Sequence, residues 1–283
     1  MKILVTGATG FVGNHVLRNL SEKDNIDIIC TSTNKEKAKS FSWFKKVKYI
    51  ECDLNDDKEN YFEFFERPDI LIHLSWQGLP NYNKAFHIER NLPRNCYFIK
   101  NMIENGLQNL SVAGTCFEYG LMDGCLEEGL STAPVTSYGI AKDTLRKYLE
   151  ILKKEFTFHY KWIRLFYMYG EGQSPTSILE LLKKSAKNGD AVFNMSGGEQ
   201  LRDYLHVNDA AKNIIDITLQ NNYDGIINCC SGTPVSIRSF VEKYIKDNDI
   251  QIELNLGYYP YPDYEPMAFW GNSQLLKKIT GKS

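Results

Sequence analysis

Tyr138 and Lys142 stand four residues apart, so on a helix their side chains share one face. An ammonium beside a phenol favours the phenolate and lowers its pKa from about 10, which prepares the tyrosine to exchange a proton near neutrality. The same spacing also describes an ordinary surface pair. A second set, Gly7, Gly10 and Gly13, lies between the apolar run Ile3 to Val5 and the apolar residues Phe11, Val12, Val16 and Leu17. Lacking Cβ atoms, these glycines allow a tight turn, close approach of a pyrophosphate to the backbone, and close packing of the next helix on its strand. The helix N-terminus offers unpaired N–H groups and partial positive charge to phosphate. A plain glycine turn is the competing reading; the strand before and the helix after count against it.

The elements that must position these groups alternate. Strands are predicted over 26–30, 47–51, 70–74, 110–113, 160–169 and 226–230, with a short helix over 35–41, long helices over about 84–105 and from Tyr138 onward, and further helices over about 178–187, from Asn208, and after Ser236. Strands alternating with helices make an α/β fold, a doubly wound parallel sheet of Rossmann type. Ligands bind outside the carboxyl ends of such strands, which places Asp53 and the loop from Ser75 to Asn83 at the cleft. His73, inside a strand pattern, reads as a core histidine. The segment 31–34, Thr-Ser-Thr-Asn, follows the second strand, where an adenosine ribose is met in dinucleotide folds. Thr31 and Ser32 there bring donors without negative charge, which suits the 2′-phosphate of NADP(H) over NAD(H). Thr33 or Asn34 also fits as a helix N-cap. Toward the C-terminus, residues 255–271 interleave prolines with tyrosines, an extended segment that reads either as a tail over the core or as an aromatic pocket wall containing Tyr259 and Asp263.

Composition excludes several classes. A chain of 283 residues with 43% hydrophobic and 24% charged residues can bury a real core, and a net charge of -2 with dispersed basic residues gives no nucleic-acid footprint. Neither a signal peptide nor a membrane span is evident, which implies a cytoplasmic protein. Seven cysteines without a CxxC pair, and five histidines without HExxH, point to reduced thiols and no structural metal.

Together, TGATGFVG at 6–13, Asp53-Leu54, His73-Leu74, Thr115 with Tyr119-Gly120, Tyr138 to Lys142, and RDYLHVND at 202–209 resemble the extended short-chain dehydrogenase/reductase (NAD-dependent epimerase/dehydratase) family over nearly the whole chain. The resemblance implies a Rossmann domain over 1–169, with a returning segment at about 203–230, and a mainly substrate-binding domain over 170–283. It implies that the turn Gly7, Thr9, Gly10, Phe11, Val12 and Gly13 binds pyrophosphate, that Asp53 contacts adenine, and that Thr115, Tyr138 and Lys142 form the catalytic triad. Arg202 corresponds to a contact with the diphosphate of a nucleotide-linked sugar, and Trp76, Cys116, Phe117 and Tyr167 stand at the sugar. More narrowly, HLSWQGLPNY, AGTCFEYG and WIRLFYMYG are similar to reductases of bacterial surface-polysaccharide pathways acting on dTDP-4-dehydro-6-deoxyglucose, and to neighbouring enzymes on CDP- or GDP-linked 4-keto sugars.

Departures narrow the chemistry. Sugar-nucleotide 4,6-dehydratases carry Asp-Glu after the triad threonine, where this chain has Cys116-Phe117, so water elimination is disfavoured. The Cys and later His of GDP-fucose synthases are also missing: the first position is Phe117, and no histidine lies between His159 and His206. Tyr167 stands where the family commonly has Asn, which alters one substrate contact. The expectation is reduction of a nucleotide-linked 4-keto-6-deoxyhexose by NADP(H), with NAD(H) second; the rivals are a 4-epimerase that keeps NAD bound and a non-catalytic cofactor-binding regulator. A homodimer is implied by resemblance alone.

Overall fold

The computed structural model describes residues 1–281. Seven strands form its central sheet: β1 (Lys2–Thr6), β2 (Asp27–Thr31), β3 (Lys48–Tyr49), β4 (Ile70–His73), β5 (Asn109–Thr115), β6 (His159–Leu165) and β7 (Gly225–Cys229). Their order across the sheet is β7-β6-β5-β4-β1-β2-β3, and every neighbouring pair is parallel. This is the doubly wound α/β arrangement predicted above. The strand order reverses between β1 and β4, which opens a crevice at their carboxyl ends.

Strand side chains alternate between two apolar layers, as a sheet buried on both faces requires. Ile3, Val5, Ile28, Cys30 and Ile72 face one side, against Val16, Leu17 and Leu20 of α1 (Phe11–Leu20). Leu4, Ile29, Leu71, Leu110 and Val112 face the other, against Phe98, Ile99 and Met102 of α2 (Leu92–Glu104) and Leu145 and Leu149 of α3 (Ser137–Leu152). Each such buried side chain contributes about 1.5–3 kcal/mol, so this sandwich fixes the sheet edge on which the site is built. A further helix, α4 (Val207–Leu219), covers the first layer with Ala210, Ala211 and Ile214, and the chain then enters the sheet as β7.

Several predicted boundaries move. The helix expected from about 84 instead opens with a wide π-type turn at His87–Asn91, and its α-helical part starts at Leu92 with Pro93 in the first turn, where a missing N–H costs nothing. The strand expected over 160–169 splits at Phe166, whose side chain enters a separate apolar cluster with Cys116, Tyr119 and Phe269. Past that break, Tyr167–Tyr169 pairs with Leu201–His206 in a small sheet outside the central one. The segment 201–206 also pairs antiparallel with Pro234–Ser236, and Phe269–Gly271 pairs with Gly124–Leu126. Ser236 caps its helix as predicted, its hydroxyl accepting the Ser239 N–H at 3.0 Å. Among the described residues, no helix is long and apolar enough to cross a membrane.

Candidate active site

The glycine turn lies at the reversal point. Gly7 sits at φ +71°, where L side chains are strained, and a Cβ there would come within 2.9 Å of the Leu74 carbonyl carbon. A Cβ on Gly13 would lie 2.1 Å from the Gly7 carbonyl oxygen, so only glycine lets α1 start this close to β1. Gly10 is the helix N-cap and has no side chain to cap it, and the first turn carries no acidic residue. The N–H groups of Phe11, Val12 and Gly13 thus stand at a positive helix end with no side-chain cap, a cradle suited to a dinucleotide's pyrophosphate.

Thr6 fastens the neighbouring strand end. Its Oγ1 accepts the N–H groups of Leu74 and Ser75 at 3.2 and 3.3 Å and lies 2.9 Å from His73 Nδ1. With two donors already on the oxygen, the hydroxyl proton goes to Nδ1, so His73 carries its hydrogen on Nε2 and donates it to Asn95 Oδ1 at 2.5 Å. Burial holds the His73 pKa at about 3. As the sequence suggested, it is a satisfied core histidine.

The turn after β2 differs from expectation. Asn34 Oδ1 caps the following helix by accepting the Lys37 N–H at 2.8 Å. Thr31, however, is 1% exposed, and its Oγ1 is buried with no hydrogen-bond partner among the described residues, so its side chain does not face outward toward a ribose. Ser32 Oγ lies 2.9 Å from the Tyr49 hydroxyl. Glu51, which sequence reasoning passed over, accepts the Lys35 N–H at 3.3 Å and sets a carboxylate beside this turn. The segment is not the acid-free surface predicted for NADP(H). Asp53 closes a local turn by accepting both nitrogens of Asn55, and Leu54 lines a small cleft with Ser75 and Trp76.

Thr115 ends β5, and Thr136 caps α3 by accepting the Gly139 N–H at 3.0 Å, which sets Tyr138 and Lys142 facing that strand end. The Tyr138 N–H donates to the Tyr82 carbonyl at 2.9 Å, tying the loop after β4 to the first turn of α3. Tyr138 is walled by Trp76, Tyr82, His87 and Phe117, with ring centroids 5.4–6.3 Å away. Burial, assisted by Tyr82 and Glu118, raises its pKa well above the usual phenol value, while a hydrogen bond with Thr115 opposes the rise. The net lowering predicted from the Lys142 spacing is not found, because burial dominates; the Lys142 ammonium donates to the Ala113 carbonyl at 2.9 Å and lies 4.0 Å above the Trp76 ring. Burial lowers the Lys142 pKa to about 7, with Glu118 pulling the other way.

Glu118, which the sequence did not single out, organises the loop beneath Thr115. Fully buried, it accepts the Thr115 N–H at 2.8 Å, the Trp162 indole N–H at 2.9 Å, and the Arg164 Nε–H at 2.8 Å. Thr115 in turn accepts the Phe117 N–H at 3.3 Å, which completes a capping box around Cys116 and Phe117.

At the other end of the cleft Arg202 is fully buried, and its Nη2 donates to Glu265 at 2.8 Å. Its sequence neighbour Asp203 is not a partner and accepts the N–H groups of Ser231 and Gly232 instead. Among the described residues the Arg202 Nε and Tyr167 hydroxyl are buried without a hydrogen-bond partner, and the guanidinium lies over Phe269 at 4.7 Å. Cys116 sits close enough to feel both Glu265 and Arg202, and burial raises its pKa. In the proline-tyrosine segment, Tyr264 reaches the site, 6.4 Å from Tyr82, and Glu265 reaches Arg202. Tyr259 and Asp263, expected in the pocket wall, are both exposed: Tyr259 is 54% exposed and packs on Tyr258. The chain turns at 263–265, and that turn carries Tyr264 toward Tyr82 and Glu265 toward Arg202.

Comparison with known proteins agrees with this geometry. The chain is 29% identical over 272 residues to the dTDP-6-deoxy-L-talose 4-dehydrogenase (NAD(+)) of Aggregatibacter actinomycetemcomitans, covering 96% of this chain and 99% of that protein. It is 24% identical to a putative UDP-glucose 4-epimerase of Methanocaldococcus jannaschii, over 85% of this chain and 80% of that one. Its fold matches the UDP-glucuronic acid 4-epimerase of Bacillus cereus, solved with UDP-glucuronic acid and NAD, with a TM-score of 0.86 at 22% identity, covering 100% of this chain and 94% of that one. The family model described as the NAD dependent epimerase/dehydratase family matches residues 3–230, and the chain belongs to that family.

Proposed function

We propose that this protein is an NAD(H)-dependent oxidoreductase that reduces the C4 ketone of a nucleotide-linked 4-keto-6-deoxyhexose. The observation that carries the reading is the wall around Tyr138. Trp76, Tyr82, His87 and Phe117 surround the phenol, and the nearest carboxylate, Glu118, is committed to Arg164, Trp162 and the Thr115 backbone. Such a wall suits an apolar C6 methyl and leaves one proton donor, which is what carbonyl reduction needs and what elimination of water does not. The name of the Aggregatibacter relative supports the same couple, since dehydrogenation at C4 is this reduction run backward. Glu51, beside the turn after β2, supports NAD(H), because a carboxylate there repels a 2′-phosphate.

When bound, the cofactor supplies the hydride. Tyr138, whose raised pKa keeps it protonated at neutral pH, gives its proton to the oxygen forming at C4. Thr115 donates a second hydrogen bond to that oxygen, and the Lys142 ammonium offsets the negative charge left on the phenolate. Glu118 holds the Thr115 backbone in place. For Arg202 to hold a diphosphate, Glu265 must release it, because the guanidinium is otherwise sealed.

The test is to supply NADH or NADPH with a panel of nucleotide-linked 4-keto sugars and to follow loss of the reduced cofactor. Stoichiometric oxidation of NADH with a 4-keto-6-deoxy sugar supports the reading. Interconversion of 4-hydroxy epimers by protein-bound NAD, with no net oxidation of added cofactor, makes the protein a 4-epimerase instead.

A further inference from the structure

We propose that Trp76 is the positioning residue for Lys142, its indole face holding the ammonium at the strand ends and its N–H fixed by His87; the catalytic meaning rests on the oxidoreductase reading above. Lys142 Nζ lies 4.0 Å from the Trp76 ring centroid, well inside the range in which a cation is drawn to an aromatic face. Its hydrogen bond goes to a neutral acceptor, the Ala113 carbonyl. The charge it feels most, that of Glu118, is already shared among Arg164, Trp162 and the Thr115 N–H. The ring face is therefore a principal stabiliser of a buried cation. The same indole meets Tyr138 edge-on at 5.9 Å, so one side chain sets the spacing of both members of the Tyr138–Lys142 pair.

The indole plane is itself held. Trp76 Nε1–H donates to His87 Nδ1 at 3.0 Å, and Asn91 Nδ2 approaches the same atom at 3.3 Å. His87 Nε2 lies 3.0 Å from the Asn81 carbonyl, so the ring carries its hydrogen on Nε2 and is neutral, a state that burial favours by lowering its pKa. A protonated His87 would turn a second N–H against the indole N–H and break the anchor. The wide turn at His87–Asn91, a geometry that recurs at functional sites, is what brings Nδ1 and Asn91 to the same point.

The titratable groups facing Lys142 are Glu118 from the turn after β5, His73 from the end of β4, His87 from the wide turn, and Tyr138 on its own helix. Both histidines are neutral, so removing the ring leaves the Ala113 carbonyl and Glu118 as the groups that favour the charge. The experiment follows the ionisation of Lys142 in the protein without cofactor, by NMR of lysine labelled at Cε, with Lys142→Arg identifying the resonance. Trp76→Leu, which keeps bulk and loses the ring, should raise the acid dissociation constant of Lys142 about three- to thirtyfold, whereas Trp76→Phe should stay near wild type. Should Trp76→Leu fail to fold, Trp76→Met takes its place. In turnover, the high-pH limb of kcat should move down with the leucine or methionine variant and stay in place with phenylalanine. Equal Lys142 ionisation in the phenylalanine and leucine (or methionine) variants overturns the proposal. If the ionisation shifts as expected but no 4-keto sugar is turned over, the positioning of Lys142 stands and the oxidoreductase reading fails.

Discussion

The two ends of the cleft bury positive charge in opposite ways. At one end Lys142 is held by a carbonyl and an indole face, without a carboxylate in contact, and its pKa falls to about 7. At the other end Arg202 is locked to Glu265; burial works against its charge, but Tyr167 and Glu265 outweigh it and raise the pKa. A lysine poised near neutrality can respond as a neighbouring phenol gains and loses its proton. A guanidinium fixed as a cation can only hold an anion, and here it holds one supplied by the chain itself. The contrast assigns proton chemistry to the Tyr138 end and anion exchange to the Arg202 end.

The largest effect should come from Tyr138→Phe. The ring and its packing remain while the proton donor goes, so kcat should fall about a hundred- to ten-thousandfold with cofactor binding little changed. Near-wild-type kcat would remove Tyr138 from the mechanism. Arg202→Ala comes next, raising KM with less change in kcat if the guanidinium holds a diphosphate before and during the reaction. An unchanged KM with a lowered melting temperature would make the Arg202–Glu265 pair structural only.

Stability against pH separates the two cations more subtly. Lys142 has a folded pKa of about 7 against an unfolded value of about 10.4, so between these values the unfolded chain binds more protons. Its contribution is complete above the unfolded value and is lost as the pH falls toward 7, with a slope of at most about 1.4 kcal/mol per pH unit. The stability of wild type relative to Lys142→Met should therefore rise from pH 7 to 10, and that relative to Arg202→Met should stay flat over the same range. Equal slopes in denaturant titrations would erase the distinction. The smallest change is Glu265→Gln, which keeps an acceptor for Arg202 and removes the competing charge. Affinity for the nucleotide-linked sugar should rise modestly, and a loss of affinity would show that Glu265 helps to bind the substrate.

What was legible in the sequence is what is local. The glycine turn, the one-turn spacing of Tyr138 and Lys142, and the alternating strands each follow from neighbouring residues, and the sheet order and caps agree with them. Partners brought together by the fold were not legible. Arg202 meets Glu265 across 63 positions, not its neighbour Asp203, and Glu118 meets Arg164 across 46. The turn after β2 looked acid-free because Glu51 arrives from the adjacent strand's end. Within 255–271 the aromatic content was visible, but which side chains turn inward depends on the path set by the pairing of Phe269–Gly271 with Gly124–Leu126. Lys142 and Trp76 were both named from sequence, yet their contact needed the β4 loop and α3 to be placed together.

The central claim is that Tyr138 protonates a C4 oxygen while the cofactor is consumed. Its most direct test measures, in single samples, NADH oxidised and 4-hydroxy sugar formed from a nucleotide-linked 4-keto-6-deoxyhexose, for wild type and Tyr138→Phe. The account predicts one NADH oxidised per sugar reduced in wild type and near-complete loss of both in the variant. Formation of an epimer without NADH oxidation, or equal turnover by the variant, would contradict it.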